Sequence, residues 1–572
     1  MGREKLLSKQ KVIVVGNGMV GHHFIEQLNK VNSDRFNIAT FSEESRLAYN
    51  RVMLTSYFTG NSADDLALAT IEAYKGDSIE YYINEEVTKI ERECKNIITS
   101  SGKVLSYDKL VLATGSFPFV PPVSGKDQDH IHVYRTLDDL DAIEKSAKKS
   151  QVGVVIGGGL LGLEAANAIK QLGLKTHVVE FASRLMAVQL DQDGGDLLRD
   201  KITALDVTVH TDKNTTEIKT GKNCRYRISF SDNSFLETDV IVFSAGIRPQ
   251  DKLARQSGLT IGERGGIVID DNCLTSDKSI YAIGECALWD NKIFGLVAPG
   301  YSMAKAAVSH LTYSNEKKEL IPFKGADMST KLKLLGVEVA SIGDAHGNTP
   351  NSQSYSFIDY VLGTYKKIVV SCDGKMLLGA VLVGDTSEYS QWLPLVLNKT
   401  ELNEPPEHLL LPTKEGDKDL SIDALPDNTQ ICACYDVSKA ALSEAIESGA
   451  HDITAIQQCT AAGTGCGGCI SLVTQVLDSE LEKLVVNAVD AEPTEFIPEI
   501  DTYFIFPCKP DVDITPDHLI KIGEIAKKYN LNTKVTGAQR IDLIGAQLHQ
   551  LPNIRKKMAD IGLTTQSSLK EY

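Results

Sequence analysis

The sequence lacks a long apolar run and is short of positive charge. No stretch reaches the roughly 18 apolar residues of a membrane-spanning helix, and the first residues, MGREKLLSKQKVIVV, are charged and soon reach a glycine motif, unlike a signal peptide. Its 59 Lys and Arg residues are outnumbered by 76 Asp and Glu residues, and the net charge of −17 disfavours nucleic acid and anionic membranes as partners. We therefore expect a cytoplasmic protein that binds neither.

Cysteine is absent from residues 1–93 and odd in number overall. The chain has 11 cysteines among 572 residues, and an odd count in a long cytoplasmic protein argues against a disulfide framework. Most are scattered singly, as buried apolar cysteines are. Only Cys432 with Cys434 and Cys466 with Cys469 have the spacing of metal ligands. At roughly 100–200 residues per domain, the length predicts about three to five domains.

The first glycine motif lies in KVIVVGNGMVGHHFIEQL, which predicts a buried strand, a tight turn and a helix. Gly16, Gly18 and Gly21 have the GxGxxG spacing that lets backbone approach a pyrophosphate and lets the helix pack on the strand. The next strand, FNIATFSEE, ends at Glu43 and Glu44, where a carboxylate can accept both ribose hydroxyls. The motif predicts dinucleotide binding, with one of the two glutamates only a solvated strand end.

The second glycine motif lies in QVGVVIGGGLLGLEAANAIKQLG and repeats the pattern with Gly157, Gly159 and Gly162. The following strand, KTHVVEF, ends in Glu180, 18 residues after Gly162. A carboxylate there repels a 2′-phosphate, so Glu180 favours NADH. Arg184, four residues further on, could soften that preference, so NADPH stays open. Two dinucleotide sites in one chain predict electron traffic between a flavin and a nicotinamide.

Three further segments complete an ordered set of motifs. They are ATG at Ala113, Thr114 and Gly115, FSAGIRP at 243–249 with Gly246, and YAIGE at 281–285 with Gly284 and Glu285. With both glycine motifs, they make residues 10–310 resemble the flavoprotein reductases that have two dinucleotide-binding domains. The resemblance implies an α/β fold in which the first motif, the ATG residues and the 284/285 pair bind FAD, while the second motif and Gly246 bind NAD(P)H. In that family the ATG and AGIRP segments join the two lobes.

The thiols and the lysine that many such reductases place beside the flavin are missing here. Disulfide reductases of this fold carry a Cys pair after the first helix or a CxxC in the nicotinamide lobe, where this chain has only Cys224. The oxidase branch places a Cys, and related reductases a Lys, near YNRVMLTSYF, which here contains Thr55 and Ser56. The partner of flavin N5 therefore stays open, and electrons should leave through a one-electron carrier. Arg51 either reaches the FAD pyrophosphate or is a salt-bridged surface arginine.

The four paired cysteines, Cys432, Cys434, Cys466 and Cys469, read C-x-C-x31-C-x2-C. Four thiolates suit zinc or an iron–sulfur cluster, and the spacing alone does not separate the two. The missing acceptor thiol upstream favours [2Fe-2S], and the segment resembles the small helical [2Fe-2S] domain of the bacterioferritin-associated ferredoxin type. Between the pairs we predict one helix that ends at Gly449, and a second helix that begins at the last ligand.

The remaining segments also resemble known modules. Residues 322–412 are similar to the mostly β C-terminal lobe of the same reductases, which often lies at a dimer interface. The segment from DITPDHL onward resembles the opening ferredoxin-like half-domain of nitrite and sulfite reductases. In the motif TKVTGAQR of that family, the arginine, here Arg540, faces sirohaem; a basic surface helix is the alternative.

The order of these parts resembles the large subunits of NAD(P)H-dependent assimilatory nitrite reductases. The expected domains are the FAD-binding domain in two parts, 1–125 and 246–315, the NAD(P)H-binding domain at 126–245, the C-terminal reductase lobe at 322–412, the [2Fe-2S] domain at 428–485 and the half-domain at 510–572. The resemblance implies electron flow from NADH through FAD to [2Fe-2S], and it allows a homodimer.

The expected acceptor lies outside this chain. The family reduces nitrite to ammonia at sirohaem beside a [4Fe-4S] cluster that needs four more cysteines, and here only Cys508 follows Cys469. We therefore expect the sirohaem in missing sequence or on a partner, such as a small nitrite reductase subunit. Two alternatives stay open: a free-standing NADH:acceptor reductase of the ferredoxin or rubredoxin type, and a non-enzymatic redox or iron sensor.

Overall fold

The chain forms two compact units. One comprises residues 1–419 with the short segments 433–435 and 465–468, and the other comprises 420–432, 436–464 and 469–572. The computed structural model describes residues 9–32, 35–77, 79–313, 320–411, 422, 425–432, 435–465, 468–490, 503–508, 516–535, 541–546, 550–559 and 564–569.

The first lobe of the large unit is built on a five-stranded parallel sheet. Its strands, in spatial order, are Ile280–Ala282, Lys109–Leu112, Gln10–Val15, Phe36–Phe41 and Glu80–Tyr82. Apolar runs such as VIVV are buried on both faces because helices cover a parallel sheet on both sides. The covering helices include Met19–Asn32, which follows the first glycine motif, and Val297–Thr312, which packs against it.

The second lobe repeats this architecture around the second glycine motif. Its five parallel strands, in spatial order, are Val207–His210, Lys175–Val179, Val152–Ile156, Val240–Phe243 and Ile131–Val133. The helices of this lobe are Leu137–Ala147, Leu160–Gln171 and Gln192–Ala204, and an antiparallel sheet of Thr215–Thr220, Tyr226–Phe230 and Phe235–Thr238 covers the opposite face. The two lobes are the doubly wound domains that the glycine motifs predict.

Two short antiparallel strands run between the lobes. Ser116–Pro118 directly follows Gly115, and Ile247–Pro249 directly follows Gly246. The segments that the resemblance assigns to the lobe junction therefore pair with one another.

The third part of the large unit is an antiparallel sheet with one helix. Its strands, in spatial order, are Thr330–Leu334, Val337–Gly343, Leu377–Val383, Thr364–Val370 and Gln353–Asp359. Helix Tyr389–Leu397 buries Trp392 against this sheet. Asp191 of the second lobe binds the sheet through the hydroxyl of Tyr365, at 2.7 Å, and Nζ of Lys367, at 3.0 Å.

Short elements complete the described part of the large unit. They are the strands Val87–Glu91, Asn96–Thr99, Val104–Ser106, Ile267–Val268 and Ala287–Leu288, the helices Ile71–Gly76 and Lys252–Gln256, and the 3-10 turns Arg51–Thr59, Gly284–Cys286 and Pro406–Leu409.

The second unit contains a helical part and a mixed part. The helical part has the strands Gln430–Cys432 and Val437–Ser438 and the helices Lys439–Glu447, Ile453–Thr460 and Ile470–Asp490. The mixed part runs Tyr503–Cys508, Pro516–Tyr529, Asn532–Val535, Ile541–Ala546, Leu551–Ala559 and Thr564–Leu569. Its four antiparallel strands take the spatial order fourth, first, third, second, which is the ferredoxin-like βαββαβ arrangement that the resemblance implies. None of the helices in the described ranges has the length and apolar character needed to cross a membrane.

Candidate functional site

The first glycine loop closes on the ATG segment. Gly16 has φ +107°, and a Cβ there would lie 2.2 Å from the carbonyl oxygen of Ala113. A Cβ on Gly21 would lie 2.1 Å from the carbonyl oxygen of Gly16, so helix and loop touch through backbone alone. A Cβ on Gly18, in contrast, would meet nothing within 4 Å. Gly16 and Gly21 are thus required by the fold, whereas Gly18 leaves open space that fits the pyrophosphate of FAD.

The second glycine loop closes on the AGIRP segment in the same way. Gly157 has φ +123°, with a built Cβ 2.2 Å from the carbonyl oxygen of Ser244, and a Cβ on Gly162 would lie 1.9 Å from the oxygen of Gly157. Gly159 again faces open space, and so does Gly246, which has φ +101°. The two loops therefore have matching cradles, one in each lobe, and the second fits the pyrophosphate of a nicotinamide dinucleotide.

Glu43 and Glu44 have different surroundings. Glu44 accepts a hydrogen bond of 2.6 Å from the hydroxyl of Tyr49 and forms an ion pair with Arg51. Glu43 keeps an exposed side chain, and partial desolvation followed by the charges of Glu86 and Glu44 raises the pKa of its carboxyl. Glu43 is therefore the carboxylate that is open to a ribose, and Arg51 is engaged in a salt bridge.

Glu285 lies where the ATG and YAIGE segments meet. Its Oε2 accepts hydrogen bonds from Oγ of Ser116, at 2.6 Å, and from a terminal nitrogen of Arg135, at 2.5 Å. Within the described residues, Nε of Arg135 is buried and has no hydrogen-bond acceptor. The carbonyl of Arg135 accepts a bond from Arg51 at 3.2 Å. A buried donor without an acceptor fits a ligand oxygen such as those of FAD. The sequence gives no sign of Arg135, because it lies outside every motif.

Glu180 is held rigidly at the end of its strand. Its two carboxylate oxygens accept hydrogen bonds from the backbone nitrogens of Gly158, at 2.5 Å, and Ala182, at 2.7 Å. Arg184 is partly buried, and its Nε donates to the carbonyl of Leu190 at 2.9 Å and a terminal nitrogen to that of Ala187 at 3.4 Å. The arginine that could favour NADPH is thus bound to the protein's own backbone.

Glu164 is a titratable group to which the sequence motifs assign no role. It lies on helix Leu160–Gln171, which packs against the turn Arg51–Thr59 that contains Thr55. Burial raises the pKa of the Glu164 carboxyl to about 7. Thr55 shares a hydrogen bond of 3.3 Å with the hydroxyl of Tyr134, whose pKa is raised by burial and also by Glu164. The segment in which related reductases have a lysine therefore lies beside a carboxyl that titrates near neutral pH.

Two of the four paired cysteines belong to the described residues. Cys432 ends strand Gln430–Cys432, and Cys469 directly precedes helix Ile470–Asp490, with its carbonyl accepting from the Val473 nitrogen at 2.9 Å. Both side chains are buried, whereas Cys459 is exposed. A helix N-terminus at Cys469 favours a negatively charged cluster. Cys434 and Cys466 lie outside the described residues, and so does Arg540.

Three segments of the chain match known protein families. Residues 10–310 match the family of pyridine nucleotide-disulphide oxidoreductases, residues 329–400 the rubredoxin NAD+ reductase C-terminal domain, and residues 430–479 the BFD-like [2Fe-2S] binding domain. The predicted reductase class and the [2Fe-2S] interpretation are confirmed.

Individual relatives extend over nearly the whole chain. The chain is 46% identical to the nitrite reductase (NADH) large subunit of Escherichia coli K12, over 98% of this chain and 74% of the relative. It is 47% identical to the nitrite reductase [NAD(P)H] large subunit of Klebsiella oxytoca, of which it spans 65%. The solved NAD-dependent persulfide reductase from A. fulgidus shares the reductase fold, with a TM-score of 0.62, 23% identity and coverage of 68% of this chain and 77% of that one.

Proposed function

Because this chain belongs to the family of NAD(P)H-dependent nitrite reductase large subunits, we propose that it is the electron-input part of an assimilatory nitrite reductase. It oxidises NADH and passes the electrons through FAD to a [2Fe-2S] cluster. The observation that carries the proposal is the pair of matching cradles at Gly18 and Gly159, joined in one chain to the segment at 430–479 that matches a [2Fe-2S] domain.

The protein's own groups bind and orient these cofactors. Bound flavin and cluster supply the redox chemistry, a hydride on one side and single electrons on the other. In the proposal, Glu43 and the Gly18 cradle hold the ribose and pyrophosphate of FAD, and Glu285 with Arg135 holds FAD oxygens at the lobe junction. Glu180 holds the ribose of NADH.

Cys432, Cys434, Cys466 and Cys469 are the proposed cluster ligands. Thiolates are the usual ligands of such clusters, and the family match covers all four positions. The burial of Cys432 and Cys469 supports this assignment because a dry surrounding protects a redox centre from solvent.

The proposed terminal reaction is reduction of nitrite to ammonia at a sirohaem domain, either in further sequence or on a partner subunit. The ferredoxin-like module at 503–569 supports this, since it has the topology expected for the opening half-domain of sirohaem reductases. Arg540 facing sirohaem, a homodimer and a cytoplasmic location stay predictions.

A visible spectrum of the purified chain with iron and sulfide analysis tests the proposal. We expect flavin, iron and acid-labile sulfide, and NADH should bleach both the flavin and the cluster bands under argon. Zinc without sulfide, or a cluster that NADH leaves oxidised while the flavin bleaches, would contradict the proposed route. Reduction of an added dye by the chain tests only this input half of the route.

A further inference from the structure

Arg184 is the cation closest in sequence to the ribose carboxylate Glu180, yet it contacts backbone. Its guanidinium donates to the carbonyls of Leu190, at 2.9 Å, and Ala187, at 3.4 Å. Leu190 is fully buried. If Arg184 swung outward, the Leu190 carbonyl would lose this donor in a buried place, which costs free energy. The inward position of Arg184 is therefore favoured.

Gly195 makes room for this position. A Cβ on Gly195 would lie 2.7 Å from Cβ of Arg184 and 3.2 Å from its Cδ. Gly195 lies in the first turn of helix Gln192–Ala204, so the stem of Arg184 crosses the helix where no side chain stands. The Cβ of a larger residue at 195 would also lie 3.1 Å from the carbonyl oxygen of Leu185, so the backbone that carries Arg184 would have to move away from the helix together with the arginine stem.

The carboxylate of Glu180 is fixed as firmly as Arg184 is. Backbone nitrogens of Gly158 and Ala182 bind its two oxygens, so it cannot turn aside to admit a phosphate. The second site therefore exposes the fixed negative charge of Glu180 to the nucleotide, while the positive charge of Arg184 is held away from it.

We infer that the hydrogen bonds of Arg184 to the carbonyls of Leu190 and Ala187 hold its guanidinium away from the bound nucleotide. This attachment, for which Gly195 leaves room, is a second determinant of selectivity for NADH over NADPH. The inference rests on the proposed function, in which the second glycine motif binds NADH. Guanidinium groups bind phosphate through paired hydrogen bonds, so a released Arg184 would bind the 2′-phosphate of NADPH. Arg184 thus affects specificity because its own backbone contacts keep it out of the nucleotide site.

The test uses calorimetric titration of the FAD-loaded full chain with 5′-ADP and 2′,5′-ADP, which bind without transferring a hydride. Glu180→Ala should bind 2′,5′-ADP more tightly than the wild type. Glu180→Ala/Arg184→Ala should match Glu180→Ala within about twofold, because the attached arginine contributes nothing to phosphate binding. Glu180→Ala/Gly195→Ala should bind 2′,5′-ADP about tenfold more tightly than Glu180→Ala, and adding Arg184→Ala should abolish that gain.

The controls separate the inference from the function on which it rests. Glu180→Ala/Arg199→Ala removes a positive charge from helix Gln192–Ala204, where Arg199 pairs with Asp196. Its affinities for 5′-ADP and 2′,5′-ADP should equal those of Glu180→Ala. A tenfold loss of 2′,5′-ADP affinity on adding Arg184→Ala to Glu180→Ala would overturn the inference, and this comparison holds even if Gly195→Ala does not fold. Failure of the wild type to bind 5′-ADP would instead overturn the proposed function, and the inference with it.

Discussion

Arg135 and Glu285 form an ion pair with 2.5 Å between a guanidinium nitrogen and Oε2, and both side chains are only 18% exposed. The two residues are 150 positions apart in sequence. Arg135 comes shortly after strand Ile131–Val133 of the second lobe, and Glu285 belongs to the YAIGE segment of the first. The pair therefore links the two lobes at the place where the flavin is proposed to bind.

Breaking this pair should release FAD. We expect Arg135→Ala to raise the dissociation constant for FAD about tenfold or more, because it leaves the carboxylate of Glu285 partly buried without its cation. Flavin retained after gel filtration, together with fluorescence titration of the stripped protein, measures this. Arg248→Ala, which removes an exposed arginine near the same junction, is the matched control and should retain FAD. Equal flavin content in both variants would contradict the assignment.

The glycines of each loop should separate into two classes on substitution. Gly157→Ala places a Cβ 2.2 Å from the oxygen of Ser244 at positive φ and should lower the free energy of unfolding by about 2 kcal/mol or more. Gly159→Ala has open space around it and should leave the melting temperature nearly unchanged. It should nonetheless weaken NADH binding, since the added methyl group occupies the space of the pyrophosphate.

Calorimetric melting and NADH titration of both variants measure the difference. The matched pair in the first lobe is Gly16→Ala, which should destabilise, and Gly18→Ala, which should reduce FAD affinity alone. Similar melting temperatures for Gly157→Ala and Gly159→Ala would show that the close contact with Ser244 does not require glycine at position 157.

What the sequence could predict depended on how local each feature is. The glycine loops and Glu180 follow from spacing within about 25 residues, because strand, turn and helix are consecutive. Arg135 was missed because its partner Glu285 is brought near it only by the packing of two lobes. The contacts that distinguish Glu44 from Glu43, with Tyr49 and Arg51, are close in sequence, but no spacing rule predicts which side chain pairs with which.

The single helix predicted before Gly449 shows a different limit. The prediction was right in its end point, since helix Lys439–Glu447 stops just before Gly449, which has φ +110°. The sequence pattern did not reveal that a separate helix, Ile453–Thr460, follows, with the side chain of Asp452 accepting from the Ala455 nitrogen at 2.7 Å. A capping residue within a polar connection is easily taken for loop.

The carboxyl of Glu164 should make stability depend on pH. Burial raises its pKa from 4.5 to about 7, so the folded protein keeps the proton at pH values where the unfolded chain has released it. The contribution of the Glu164 carboxyl to the free energy of unfolding is therefore fully present below pH 4.5 and is lost as the pH rises through about 7. Melting temperatures of the wild type and Glu164→Gln should differ more at pH 8 than at pH 5, with the wild type losing relative stability. Glu72→Gln, at an exposed helix position, is the control and should follow the wild type at both pH values.

Substitution of the proposed ligand cysteines should remove the [2Fe-2S] cluster and leave hydride transfer from NADH to the flavin intact. Cys432→Ser and Cys469→Ser each remove one proposed ligand, and a thiolate site with three sulfurs should hold little cluster. We expect iron and sulfide to fall by at least half while NADH still bleaches the flavin at the wild-type rate, because the two glycine cradles lie in residues 10–310. Cys459→Ser changes an exposed cysteine of the same domain and should keep the full iron content. Loss of iron in Cys459→Ser but not in Cys469→Ser would overturn the ligand assignment, and slower flavin bleaching in Cys432→Ser would show that the reductase domain needs the cluster domain intact.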